Sequence, residues 1–268
     1  MEAATSGSRS GLLRVEHIMG MPIIIDVRDH DVGPEALEAA FDWFRIVDAR
    51  FSTYKADSEI CRLNRGDLAL EDAHPDVREV LARCEALRED TYGYFDIRAP
   101  GLLPGASAVD GSAPASVDPS GLVKGWSIVR AAEILAAAGA RNFMINAGGD
   151  IVTRGCPFPE LYWRIGIQHP SDRQSLAAVV ALSDRAIATS GAYERGQHIV
   201  DPHTGRPPEG ILSVTIIGDD LATVDAYATA AFAMGAAGPA WTARLAGHEA
   251  MTIKADGTVL STMGFPSL

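Results

Sequence analysis

The chain has 268 residues, 47% of them hydrophobic and 22% charged, enough apolar material for a substantial core and an ordinary balance for a globular protein. Its formal net charge is −12, and an acidic surface repels phosphate backbones, which argues against a non-specific nucleic-acid partner. Cys61, Cys84 and Cys156 lie far apart and form no CxxC pair, so reduced thiols and a cytoplasmic location are expected rather than a disulfide framework or a zinc site.

The opening MEAATSGSRSG has neither a basic nor an apolar stretch and reads as a disordered tail over residues 1–11. Leu12 to Ile18 and Pro22 to Val27 then read as two strands joined at a tight Met19-Gly20-Met21 corner. Pro34 to Phe51 is an amphipathic helix, with Leu37, Phe41, Phe44, Val47 and Phe51 at helical spacing and Pro34 suited to its first turn. Asp76 to Thr91 is a second helix. Pro100 to Ser120, rich in Gly, Pro, Ser and Ala, reads as a long loop. A helix over Leu122 to Ala138 follows, then a short buried strand, Phe143 to Asn146, which runs into a Gly-Gly corner.

The second half alternates less regularly. Trp163 to Gln168, Leu176 to Leu182, Ala186 to Ala188, Ile211 to Gly218, Ala250 to Lys254 and Thr258 to Ser261 read as strands. Ala222 to Gly235 and Pro239 to Ala246 read as helices. The stretch Ala226 to Ala243 is uncharged but Ala-rich and broken by Gly235, Gly238 and Pro239, too weakly hydrophobic for a membrane-spanning segment. Helices and strands mix without regular βαβ alternation, which points to an α+β fold with strands folding back on one another.

Four groupings can carry chemistry. Asp225 and Thr229 stand at i and i+4 of a helix, on one face and one turn apart. A carboxylate and a hydroxyl are hard oxygen donors suited to Mg²⁺; a helix cap and a small packing residue would explain the pair as well. In Val117 to Gly125, Asp118 and Ser120 are capping types, and Lys124 sits in a first helical turn, where a cation hints at an anionic partner. Asn146-Ala-Gly-Gly-Asp150 follows a strand and reads as a turn. Thr189 to Gly205 crowds polar residues together; His198 is a possible proton acceptor or a structural hydrogen-bonding group, and His203 and Thr204 read as turn formers. Ser190 lies in Thr-Ser-Gly rather than a G-x-S-x-G elbow, which weakens a hydrolase triad.

In their order along the chain these segments resemble the ApbE family, the FAD:protein FMN transferases. The resemblance is carried by Met19-Gly20, Phe51 to Tyr54 with Ser58-Glu59-Ile60 and Leu63-Asn64, Gly93 to Asp96, Asp118 to Gly125, Asn146 to Asp150, Thr189 to Gly191, His198 to Gly205 and Asp225 to Thr229. It implies a T-fold-related α+β architecture over residues 12–268, with an antiparallel sheet, flanking helices and an FAD cleft between two lobes. It implies Mg²⁺ held by Asp225, Thr229 and the backbone carbonyl of Gly121, and FAD contacts at Met19, Tyr54, Tyr94, Phe95, Asp96, Asp118, Lys124 and Val200. His198 and Asp225 are the candidates for proton transfer, and the implied partners are FAD and an acceptor protein offering a Thr or Ser hydroxyl. The chain departs from the family pattern at Met21, Val123 and Gln197, and in the short region between Asp96 and Asp118. A Mg²⁺-dependent FAD pyrophosphatase, a non-catalytic flavin binder and a metal-independent hydrolase using Ser190 and His198 are the competing readings.

Overall fold

The computed structural model describes residues 11–98, 116–191 and 199–268. Most of the expected tail, most of the long loop and His198 lie outside these residues.

The chain opens with β1 (Leu12–Ile18) and β2 (Met21–Val27), paired antiparallel with Ile18 opposite Met21. Met19 and Gly20 form the two-residue turn between them, and both have positive φ, 56° and 73°, as a type I′ hairpin turn demands. A methionine rarely adopts this conformation, and the turn aims Met19 at the interior described below. Helices α1 (Pro34–Phe51), α2 (Glu59–Arg65) and α3 (Pro75–Asp90) follow. Then come α4 (Ser120–Ala137), β3 (Phe143–Ala147) and β4 (Asp150–Arg154). The strands β5 (Trp163–His169) and β6 (Asp172–Leu182) make a separate hairpin. The remainder is β7 (Ala186–Gly191), β8 (Ile211–Gly218), α5 (Leu221–Ala233), α6 (Gly238–Thr242), β9 (Glu249–Lys254) and β10 (Val259–Ser261).

Eight strands form one sheet in the order β1-β2-β3-β4-β7-β8-β9-β10, every neighbour antiparallel. Because side chains alternate across a strand, the sheet has two distinct faces. Ile151, Ile187, Ile217 and Ile253 point to one face, where the β5–β6 hairpin covers them with Trp163, Ile165 and Val180. Val152, Ala186, Ala188 and Ile216 point to the other, under Phe41 and Phe44 of α1, Ile128 of α4 and Val224 of α5. A second apolar cluster lies beyond these helices, where Val77, Val80 and Leu87 of α3 meet Trp126 of α4 and Ala226 and Ala230 of α5.

Helices α4 and α5 are therefore sandwiched between two apolar clusters, and this accounts for their composition. A helix buried all round needs small apolar residues on every face, and α5 supplies six alanines in LATVDAYATAAFA. Gly125 of α4 faces α5 so closely that an added Cβ would lie 2.7 Å from the Leu221 carbonyl oxygen and 2.8 Å from the Ala222 Cα. Glycine is thus the residue that lets the two helices touch, and the site depends on that contact.

The α+β reading and the antiparallel sheet hold. Several elements differ from expectation: α6 stops at Thr242 rather than Ala246, β6 begins at Asp172 rather than Leu176, and β7 runs on to Gly191 rather than Ala188, which takes in Ser190. The seven-residue α2 was not anticipated: only Ile60 is buried, so no apolar period announces it, although Ser58 caps its N-terminus and Gly66 its C-terminus. The strand β4 begins at Asp150, the last residue of the expected turn, and its remaining residues carry no alternating strand signal. Gly148 and Gly149 do turn, but Asp150 already pairs with Ala147, and β4 buries its first four residues without alternation.

Candidate functional site

Among the described residues a cavity of about 670 Å³ opens between the C-terminal end of α1, the N-terminal end of α4, α5 and the end of β7. Asp225 and Thr229 of α5 form one wall. The alternative that Asp225 caps its helix is excluded by Asp220, which occupies the cap. The Asp220 carboxylate accepts the Thr223 N–H at 3.1 Å and the Thr223 hydroxyl at 2.6 Å, and it pairs with Arg83 of α3. Asp225 stands one turn further in, only 4% exposed, and belongs to the cavity. The Thr229 hydroxyl lies 3.3 Å from the Ser190 hydroxyl on β7. Ser190 thus faces Thr229, and a carboxylate and two hydroxyls share one polar end of the cavity.

The second wall is the start of α4. The Asp118 N–H donates to the Ile97 carbonyl at 2.9 Å, and its carboxylate accepts the Ser120 N–H at 3.0 Å. Pro119 is the N-cap of α4, with no side-chain cap, so Asp118 braces the turn rather than capping the helix as expected. Asn64 of α2 clamps the same segment: its amide donates to the Val117 carbonyl and accepts the Val117 N–H, both at 2.9 Å. Gly121 lies in the first turn of α4, on the cavity, beside the Phe95 ring. One turn on, Lys124 reaches inward. Its ammonium lies 2.6 Å from Asp150 Oδ2 and 3.7 Å from Asp225 Oδ1. The anionic partner expected for Lys124 is therefore within the protein, and Asp150, the first residue of β4, is the site residue that sequence reasoning missed. Its Gly-Gly-Asp setting gave a turn signal only, since the pairing with Lys124 is long-range. The three groups carry a formal charge of −1 (one ammonium, two carboxylates), which favours a further cation beside them.

The opposite walls are aromatic and apolar. Met19 and Tyr54 stand at the cavity, Tyr54 92% exposed. Tyr94, Phe95 and Asp96 line it from the turn after α3. Thr91 organises that turn, its hydroxyl accepting the Phe95 N–H at 3.0 Å and donating to the Leu87 carbonyl at 2.7 Å. Tyr94 meets the edge of His203, with ring centroids 4.6 Å apart. His203 lies in the Asp201–Arg206 turn, where the Asp201 carboxylate accepts the His203 N–H at 2.9 Å and the Thr204 hydroxyl at 3.0 Å. These two are turn formers, as expected. Val200 contributes to the lining just before that turn.

Every candidate residue that the structure describes thus faces one cavity. His198 lies outside the described residues. Among the described residues no three His, Cys, Asp or Glu side chains cluster as a complete metal cage. Hard oxygen donors few in number suit Mg²⁺, which keeps waters and takes phosphate oxygens as further ligands.

The chain matches the ApbE family model over residues 19–104 and 106–252. It is 38% identical over 129 residues to an FAD:protein FMN transferase of Vibrio cholerae, a match covering 44% of this chain and 39% of that protein. It is 26% identical over 240 residues to one of Haemophilus influenzae, covering 70% of this chain and 69% of that protein. The match thus spans about two fifths of the length of the first of these relatives. The solved structure of the flavin transferase ApbE from Vibrio cholerae superposes with a TM-score of 0.82 at 24% identity, covering 96% of this chain and 98% of that one. Fold, order of motifs and family match agree, and the chain belongs to the ApbE family.

Proposed function

We propose that this chain transfers the FMN half of FAD to a Thr or Ser hydroxyl of an acceptor protein, releasing AMP, with Mg²⁺ held by Asp225, Thr229 and the Gly121 carbonyl. The single observation that carries this reading is the convergence of a carboxylate, hydroxyls and an aromatic wall on one cavity of about 670 Å³, a size suited to an extended small-molecule ligand. The names of the relatives, FAD:protein FMN transferase, supply the substrate and the acceptor class.

In this reading the polar end takes the diphosphate. Tyr54, Tyr94, Phe95 and Met19 contact the flat rings, and Asp96, Asp118, Lys124 and Val200 complete the FAD contacts. The acceptor oxygen attacks the phosphorus on the FMN side, the bond from that phosphorus to the AMP oxygen breaks, and AMP leaves. The hydroxyl proton passes to a base at this site, for which His198 and Asp225 are the candidates. Mg²⁺, when bound, offsets the negative charge developing on the leaving AMP. The chain's own contribution is positioning: α5 holds Asp225 and Thr229 in fixed relation, and the cavity walls fix the phosphorus relative to the acceptor. Residues 12–268 act as one catalytic unit, and nucleic acid is not a partner. The three free thiols favour a reducing compartment, the cytoplasm; among the described residues no helix is long and apolar enough to cross a membrane.

The test is incubation with FAD and MgCl₂, with and without an acceptor protein. Flavin fluorescence that stays with the acceptor on a denaturing gel, and that EDTA prevents, is the expected result. Free FMN and AMP without acceptor, and no labelled acceptor, would replace transfer by hydrolysis.

A further inference from the structure

Asp150 is outside the cavity lining, yet its side chain is 2% exposed and its carboxylate holds the Lys124 ammonium at 2.6 Å. A buried carboxylate without a partner is costly, so this contact fixes Lys124 firmly. The same ammonium is 3.7 Å from Asp225 Oδ1. Two carboxylates therefore compete for one cation, and Asp150 has the shorter contact. Two structural choices impose that outcome. The Gly148-Gly149 turn returns β4 so that Asp150 starts the strand opposite Ala147. Gly125 then lets α4 approach α5 closely enough for Lys124 to come between the two acids.

We propose that Asp150 is a positioning residue that draws the Lys124 ammonium to its own carboxylate, 2.6 Å against 3.7 Å to Asp225, and by weakening the Lys124–Asp225 pair leaves Asp225 better able to hold a divalent cation. This rests on the reading that Asp225 holds that cation. Removing the Asp150 charge lets the ammonium tighten its existing 3.7 Å pairing with Asp225. Lys124 then becomes a closer counterion of Asp225 and competes more strongly with the metal. Asp150 acts through Lys124, without touching metal or FAD.

The test is direct titration of the purified full chain with Mn²⁺, free Mn²⁺ being read by electron paramagnetic resonance, with no FAD and no turnover involved. Asp150→Asn is expected to weaken Mn²⁺ binding about tenfold, the usual scale for an outer partner of a metal ligand. The double variant Asp150→Asn/Lys124→Met, which lacks both the acid and the competing ammonium, is expected to return to near wild-type affinity. Unaltered affinity in Asp150→Asn, or a double variant as weak as the single one, overturns the proposal. Should Asp150→Asn not fold, Asp150→Ser read against Asp150→Ser/Lys124→Met takes its place, with the same two outcomes upholding or overturning the proposal. A wild-type chain that binds no Mn²⁺ removes the cation reading of Asp225 itself, an outcome separate from equal binding by wild type and Asp150→Asn.

Discussion

Asp225 and Thr229 were legible because helical spacing is local: positions four apart share a face whatever the rest of the chain does. Whether that face looked at solvent, core or cavity was not legible, since Asp220 and Asp225 are both acids near the start of the same helix. The choice between them is made by Arg83, on another helix, which pairs with Asp220. Asp225→Ala is expected to abolish FMN transfer while far-UV circular dichroism stays unchanged; retained transfer would remove Asp225 from the metal site. Asp29 shows the same locality problem. Its carboxylate accepts the backbone N–H groups of Arg141 and Asn142 at 2.8 and 2.7 Å and the Asn142 amide at 2.8 Å. Burial pushes its pKa up, and these donors, led by the Asn142 N–H, pull it further down, for a net value below the ordinary one. The folded state thus binds the proton less readily than the unfolded chain. The stabilisation is present above the unfolded value near 3.8 and is lost as pH falls through the folded value. Asp29→Ala is expected to cost about 1.5–3 kcal/mol in urea unfolding at neutral pH, and less in acid. An equal cost at both pH values would refute the assignment.

At the scale of elements, the long helices announced themselves, the buried α5 among them, whereas the short helix α2 and the fully buried strand β4 did not. Helix α1 has its apolar residues at helical spacing and was read with its observed limits, Pro34–Phe51. Helix α2 hides because it buries one residue, and β4 hides because burial on both faces erases alternation. The close pairing of α4 with α5 was invisible too, since a lone glycine inside a helix carries no record of what it faces. Gly125→Ala is expected to destabilise by about 1–3 kcal/mol through overpacking, because the new methyl would meet the Leu221 carbonyl and the Ala222 backbone. Thermal unfolding of the variant checks this, and a fully stable variant would show that the helices part without cost.

Across the whole molecule, eight motifs in family order located the cavity more reliably than any one of them, because folding brings together segments from Met19 to Thr229. What the order of motifs left out is the charge arrangement within the site: Asp150 and Lys124 are paired by the sheet register and the helix contact, neither of which is written in a local pattern. The core also sets a chemical limit at high pH. Burial raises the Cys84 thiol from 9.0 to about 12, so the folded state keeps its proton where the unfolded chain has lost it. The stabilisation is complete below pH 9 and falls as pH rises toward 12. A thiol reagent at pH 8 is expected to reach Cys84 only on unfolding, and rapid labelling of the native protein at Cys84 would contradict its burial.

The most direct measurement is a crystal soaked with FAD and Mn²⁺, read by anomalous diffraction. The expected result is one anomalous peak at bonding distance from the Asp225 carboxylate and the Thr229 hydroxyl, with the FAD diphosphate against it. A peak elsewhere, or FAD bound outside the cavity with Asp225 and Thr229 contacting no metal, would contradict the proposal.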